Sequence, residues 1–105
     1  LQNEQFKVIS LNASFVIVGE DIVAEGTIDQ ATVYPRKVVE LAIKHGATTF
    51  IFVHNHPSGD VNPSEMDKLI TRSLVLAART VGVSVYEHII VSSNGYFSFR
   101  EQSLL

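Results

Sequence analysis

The fold depends most on residues 48–67, which read TTFIFVHNHPSGDVNPSEMD. The first six are β-branched or aromatic and apolar on both faces, which is typical of a central β-strand covered on two sides. Pro57 halts strand pairing, and Gly59 allows the chain to bend. Asn62 and Pro63 then predict the start of a helix, with Asn62 as the N-cap and Pro63 as the first helical residue. A buried strand, a short loop and a capped helix therefore follow one another directly.

Further strands are predicted on both sides of this unit. Alternating or β-branched apolar runs indicate them at residues 5–11, 15–19, 22–27, 83–91 and 96–99. Asn94-Gly95 lies between the last two and is a strong signal of a tight hairpin turn. The final hairpin is therefore the most sharply defined turn in the sequence.

Two helices complete the prediction. One begins at Pro35 and ends at Gly46, and the second ends at Gly82. In the second helix, Glu65 stands three residues after Asn62 and is expected to reach back to it in a capping box. The order of strands and helices predicts an α/β fold, a mixed β-sheet flanked by helices.

Composition narrows the class of protein. The 105 residues are 46% hydrophobic and carry eight basic against eleven acidic side chains, for a formal charge of −3. We expect one domain over residues 1–105, in a cytoplasmic protein without a membrane span. Because the chain begins at Leu1, it is expected to be a fragment of a longer polypeptide. The basic residues are scattered along the sequence, so nucleic acid is not the expected partner.

Without cysteine, a metal ion would have to be held by histidine and carboxylate side chains. His54 and His56 are two residues apart on a strand and project to the same side. Ser64 and Asp67 share a face near the start of the following helix. Two imidazoles and one carboxylate suit zinc and leave a fourth position for water, which a hydrolytic site requires.

Each of these residues also has an ordinary structural interpretation. A histidine at a strand end is often a surface or core residue, and an acid in the first turn of a helix is favoured by the helix dipole. Ser64 alone would be a helix-start residue. The combination, on a strand end and the next helix start, favours the metal site.

The spacing of these residues resembles that of a known family. His54-x-His56, seven residues, Ser64, two residues and Asp67 resemble the signature of JAMM (MPN-type) metalloproteases. The longer sequence HNHPSGD…PSEMD is similar to that of the bacterial RadC family. The likeness continues through residues 26–29, 33–36, 71–72, 82–83, 88–91 and 96–99. Glu87 departs from this likeness, since the RadC pattern has aspartate there.

The resemblance implies a JAMM/MPN core of the cytidine-deaminase-like type. It implies zinc on His54, His56 and Asp67, with Ser64 hydrogen-bonding the tetrahedral oxyanion and a glutamate acting as the general base. A protein or peptide would then be the substrate, cleaved at a peptide or isopeptide bond. The alternative is a non-catalytic RadC-type binding module, associated with DNA repair or with a protein partner.

The base itself must come from outside the strand–loop–helix unit. Glu4 precedes the first predicted strand and resembles the position of the base in JAMM proteins, so it is the first candidate. Glu20 and Glu25 are rivals because they flank an apolar strand. His88 lies in another apolar strand and is either a partner of the ligands or a core residue.

Overall fold

The structure, a computed structural model, describes residues 3–105 and confirms the α/β fold. Its strands are β1 (Gln5–Leu11), β2 (Ile17–Glu25), β3 (Thr49–Asn55), β4 (Ser84–Ser92) and β5 (Gly95–Ser98). The helices are α1 (Pro35–His45) and α2 (Glu65–Thr80). The sheet has the order β2-β1-β3-β4-β5. Only the central β3–β4 pair is parallel, so the sheet is mixed, as predicted.

The second and third predicted strands are in fact one strand. Residues 15–19 and 22–27 were separated in the prediction, whereas β2 runs without interruption from Ile17 to Glu25. Gly19 lies inside it because the His45 ring packs there, and a Cβ at Gly19 would meet that ring at 2.5 Å. His45 Nε2 lies 2.8 Å from Asp21 Oδ2. This glycine therefore marks a close approach of α1 to the strand, rather than the end of the strand.

The start of α2 is also corrected. Its N-cap is Ser64 rather than Asn62, and the carboxylate of its capping box belongs to Asp67 rather than Glu65. The Asn62 amide is engaged in the preceding loop, where its Nδ2 donates to Asp60 Oδ1 at 3.0 Å. The capping box is thus formed by a pair that lies two residues later in the sequence than the predicted pair.

One face of the sheet packs against both helices. The prediction that the central strand is covered on two sides is therefore wrong for the helices, and Ile51 and Val53 on the opposite face of β3 are only partly buried. The sequence predicts that the central strand, the inner stripe of the second helix and the following strand supply the core. Their buried residues confirm this prediction: Phe50, Phe52, Ile70, Leu74 and Ile90. Phe6 and Val8 of β1 join them, and α1 contributes Val38 and Ala42. None of the helices in the described part of the chain has the length and apolar character needed to cross a membrane. The end of β3 leads through one loop to the start of α2, so the residues of the predicted site lie at a single edge of the core.

Candidate metal centre

The two histidines of the predicted site lie at the end of β3. His54 is the penultimate residue of the strand and is 1% exposed. His56 lies just beyond it, and its backbone N–H donates to Val91 O at 2.9 Å, which keeps the chain beside β4. The two ring centroids are 4.9 Å apart, with the rings nearly perpendicular. The prediction that both imidazoles share one side of the strand is therefore consistent with the structure.

The loop after His56 determines which nitrogen of its ring is available. His56 Nδ1 lies 2.7 Å from the backbone oxygen of Asp60. A carbonyl oxygen only accepts hydrogen bonds, so Nδ1 must donate. In the neutral ring the lone pair is then on Nε2, the nitrogen that can bind a metal ion.

Glu4 approaches the buried histidine directly. Its Oε2 lies 2.7 Å from His54 Nε2, although the two residues are 50 positions apart in sequence. Ligand atoms of Glu4, His54 and His56 all lie within 4.8 Å of one another and could hold a metal ion. The trio differs in one member from the predicted ligand set, in which Asp67 is the third ligand and Glu4 the base.

Asn55 positions the segment that carries Glu4. Its Oδ1 accepts the backbone N–H of Gln5 at 2.6 Å, and its Nδ2 donates to the backbone oxygen of Asn3 at 2.9 Å. The Asn55 side chain therefore holds the chain on both sides of Glu4. From the alternation of side chains along a strand, the sequence predicts only that Asn55 faces away from His54 and His56. No local pattern could reveal its two contacts, because they join residues 50 and 52 positions apart only when β1 pairs with β3.

Asp67 also contacts both imidazoles. Its Oδ1 lies 3.6 Å from His54 Nδ1, and its Oδ2 lies 3.2 Å from His56 Nε2. The capping box orients this buried carboxylate, because Asp67 Oδ2 accepts the backbone N–H of Ser64 at 2.8 Å. In return, Ser64 Oγ accepts the backbone N–H of Asp67 at 3.0 Å. The Ser64 hydroxyl proton is then free to bond another acceptor.

These side chains open into a cleft of about 390 Å³. Its lining includes four predicted site residues, Glu4, His56, Ser64 and Asp67, together with Ile28, Pro57 and Ser58. The rival glutamates do not line it. Glu20 pairs with Ile9 in the middle of β2, and Glu25 accepts a hydrogen bond from the side chain of Gln5 at 2.8 Å. Of the three candidate bases, only Glu4 lies beside the histidines.

A second buried histidine lies behind the first. His88 Nδ1 is 2.7 Å from Thr71 Oγ1, which in turn donates to the backbone oxygen of Asp67 at 2.8 Å. The His88 ring stacks on Phe99 at 4.3 Å, and its Nε2 has no hydrogen-bond partner among the described residues. Burial, and then the charges that His54 and His56 can carry, lower the pKa of His88 well below its ordinary value. His88 is therefore a neutral core residue that supports the helix turn bearing Asp67.

The hairpin between β4 and β5 holds the loop that follows His56 in place. The backbone oxygen of Gly59 accepts the Ser92 hydroxyl at 3.0 Å and the Asn94 amide at 3.2 Å. Gly59 has a positive φ of 93°, and a Cβ there would lie 2.8 Å from the Asn94 amide nitrogen. In the sequence Asn94 signals only a turn. In the fold it also supports the loop whose Asp60 carbonyl orients His56.

Glu87, where the family pattern has aspartate, lies away from the cleft. Its Oε1 accepts the backbone N–H of Arg100 at 3.0 Å, and its Oε2 accepts the Ser98 hydroxyl at 2.5 Å. This carboxylate connects β4 to the end of β5. Its role in the structure is to hold the sheet edge together.

Comparisons with known proteins agree with this architecture. Residues 1–104 match the family described as the RadC-like JAB domain. The whole chain is 48% identical to a UPF0758 protein of Symbiobacterium thermophilum and 47% identical to one of Thermotoga maritima. It covers 45% and 47% of those two proteins, so it spans about half the length of the relatives it matches. It is also 42% identical to the UPF0758 protein YeeS of Escherichia coli K12, of which it covers 71%. The family match extends over nearly every residue and includes the histidine pair, Ser64 and Asp67, and the chain therefore belongs to the RadC-like JAB domain family.

Proposed function

We propose that this domain is a zinc-dependent hydrolase that cleaves a peptide or isopeptide bond. The observation that carries the proposal is the 2.7 Å contact between the Glu4 carboxylate and the buried His54 ring. Glu4 also lines the cleft that contains His56, Ser64 and Asp67. A carboxylate beside two imidazoles provides both metal ligands and a proton acceptor in one place.

The residues present fit a zinc ion. Their donors are imidazole nitrogens and carboxylate oxygens, which are ordinary zinc ligands. Ligand atoms of His54 and His56 lie within 4.8 Å of one another and of a Glu4 ligand atom, and Asp67 Oδ2 lies 3.2 Å from His56 Nε2. A zinc ion would bind a close group of imidazole and carboxylate donors of this kind. We assign the ligands to His54, His56 and Asp67.

Zinc bound there would polarise the substrate carbonyl and make a water molecule more acidic. The residues of this chain then have distinct tasks. Glu4 accepts the proton of the attacking water and returns it to the leaving nitrogen. Ser64 donates a hydrogen bond from its hydroxyl to the oxyanion, since its oxygen already accepts the Asp67 N–H and its own hydrogen is available. His54 and His56 must be deprotonated at the nitrogen that binds the metal, so metal affinity will fall at acid pH.

The test is peptide cleavage by the zinc-loaded chain, followed by mass spectrometry of a peptide library. Glu4→Gln keeps the size of the side chain but cannot accept the proton. It should keep zinc while turnover falls by roughly 10²–10⁴-fold. Glu20→Gln, on β2 and outside the cleft, is the matched control and should be as active as the wild type.

Two results would contradict the proposal. One is a wild-type chain that binds no stoichiometric zinc by elemental analysis. The other is a zinc-loaded chain whose cleavage activity is unaffected by Glu4→Gln. Zinc binding without cleavage of any peptide would instead support the non-catalytic binding module.

A further inference from the structure

A second surface, on the outer side of α2, concentrates positive charge. Lys68, Arg72 and Arg79 lie at helical spacing along one stripe of the helix, and Arg100 approaches the end of the stripe from the far side. These four residues surround two adjoining cavities of about 420 and 210 Å³ that share Val75, Arg79 and Leu105. We call this surface the basic groove. The basic residues that are scattered in the sequence are thus partly gathered by the fold.

The charges of the basic groove are largely uncompensated. Four of the eight basic residues line it, and none of the eleven acidic residues does. Arg72 and Arg79 are exposed and make no ion pair with any residue in 3–105. Lys68 alone contacts a carboxylate, Glu65, at 3.4 Å on the exposed helix surface. The rest of the chain is strongly acidic, so an anionic partner is attracted to this groove and repelled elsewhere.

The floor of the basic groove is apolar. Val75 and Leu76 of α2 lie between the cations, and Leu104 from the end of the chain lies beside them. Leu76 is 54% exposed and Leu104 is 42% exposed, which is high for large aliphatic side chains. A ligand that covers this floor must itself carry apolar groups.

The positive charge and the apolar floor of the basic groove together distinguish between classes of anionic partner. Duplex DNA presents a phosphate charge about every 1.7 Å of its axis over a wide surface, and its phosphates offer nothing to an apolar floor. The acidic remainder of the domain would oppose such a long anion. An acidic protein segment with leucine-like side chains satisfies both the cations and the floor.

We propose that the basic groove binds a short acidic, leucine-bearing segment of a partner protein. Carboxylates of the segment pair with Arg72 and Arg79, and its apolar side chains cover Val75 and Leu76. Lys68 to Arg79 spans about 17 Å at 1.5 Å per residue, which corresponds to about 12 residues of a helical ligand. The groove lies outside the metal-centre cleft, so this binding does not depend on the proposed hydrolysis.

The test uses a fluorescein-labelled, end-capped peptide of about 12 residues built from glutamate and leucine. Fluorescence anisotropy with the full chain should show saturable binding that weakens as ionic strength rises from about 0.05 to about 0.5 M. The double variant Arg72→Glu/Arg79→Glu should lose at least about tenfold in affinity, and Arg72→Gln/Arg79→Gln should lose less. Lys44→Glu, an exposed charge in the last turn of α1, is the matched control and should bind as the wild type does. Circular dichroism of each variant checks that it is folded.

Two further probes separate the classes of partner. A peptide with alanine in place of leucine should bind at least about tenfold more weakly, because it cannot cover the apolar floor. Equal binding of the two peptides would overturn the proposed partner. Stronger binding of a duplex DNA of about 20 base pairs than of the leucine peptide would overturn it in favour of nucleic acid. Unchanged peptide binding by folded Arg72→Glu/Arg79→Glu would show that the groove is not the binding site.

Discussion

His54 and His88 are two buried histidines on neighbouring strands, with ring centroids 5.9 Å apart. Both lie in apolar stretches of sequence, and both make a polar contact with a side chain of α2. His54 contacts Asp67, and His88 contacts Thr71. They differ in their remaining partners. His54 contacts the carboxylates Glu4 and Asp67, whereas His88 has the hydroxyl of Thr71 and the face of Phe99.

The difference shows that burial alone does not identify a candidate metal ligand. A carboxylate next to an imidazole stabilises positive charge, whether that charge is a proton or a metal ion. A hydroxyl that has already donated its own proton can only accept, so it places a hydrogen on Nδ1 of His88. Burial lowers the pKa of His88 and favours the neutral ring. The same side chain is thus suited to a metal centre on β3 and to a neutral core on β4.

The largest expected effect is on metal binding. His54→Gln removes a proposed ligand and should reduce zinc affinity to a level at which the purified protein contains no stoichiometric zinc. His88→Gln keeps a donor for Thr71 and should retain one zinc per chain. Elemental analysis and calorimetric titration of both variants provide the measurement. Equal zinc content in the two variants would contradict the distinction between the histidines.

The next effect concerns the carboxylate that distinguishes His54. Asn55→Ala removes both hydrogen bonds that flank Glu4, so the base would move while the ligands stay in place. A displacement of this kind should lower turnover by about 10²-fold with zinc retained. Asn55→Asp can still accept the Gln5 N–H and should lose less. Loss of zinc in Asn55→Ala would show that Glu4 is a ligand rather than the base.

The next prediction concerns His88. Thr71→Val preserves the shape of the side chain but leaves His88 Nδ1 without its hydrogen-bond partner. Because that nitrogen is fully buried, the free energy of unfolding should fall by about 1–3 kcal/mol. Thr80→Val is the matched control, since the Thr80 hydroxyl also donates to a helix carbonyl but lies at the exposed end of α2. Chemical denaturation in the presence of a chelator compares the two. An equal loss in both variants would mean that the His88 contact contributes nothing specific.

The smallest effect is a difference in acid sensitivity. The pKa of His88 is lowered in the fold, so below its ordinary value of 6.5 the unfolded chain takes up a proton that the folded chain does not. The free energy of unfolding therefore falls as the pH drops below that value, by at most about 1.4 kcal/mol per pH unit from this group. His88→Gln should show a shallower decline between about pH 6.5 and 5 when both proteins are metal-free. Identical slopes would indicate that His88 is protonated in the fold.

Much of the fold could be predicted because its signals are local. The β-branched run before His54, Pro35 at the start of α1 and Gly46 at its end each act over a few residues. The errors arose where a local signal had two meanings. Gly19 indicated a strand end, but the fold uses it to admit His45. Asn62 indicated a helix cap, but its amide is engaged by Asp60.

The residues of the candidate site also differ in whether the local sequence could predict them. Its histidine pair, Ser64 and Asp67 lie within one strand–loop–helix segment, so their spacing could be interpreted directly. Glu4 was selected by resemblance, and only the pairing of β1 with β3 brings it to His54. No local sequence pattern predicts that Asn55 holds the segment around Glu4 or that Asn94 supports Gly59.

The amino-acid sequence by itself indicated the family and the α/β class and predicted the candidate metal ligands, because periodicity, caps and ligand spacing are properties of neighbouring residues. Tertiary structure decided which carboxylate reaches His54, which histidine stays neutral, and where the basic side chains gather. Those outcomes depend on contacts between residues far apart in the chain, and such contacts exist only after the strands have paired and the helices have packed. Hydrogen-bond partners and local dielectric, which determine the chemistry of a buried side chain, are set by the same packing.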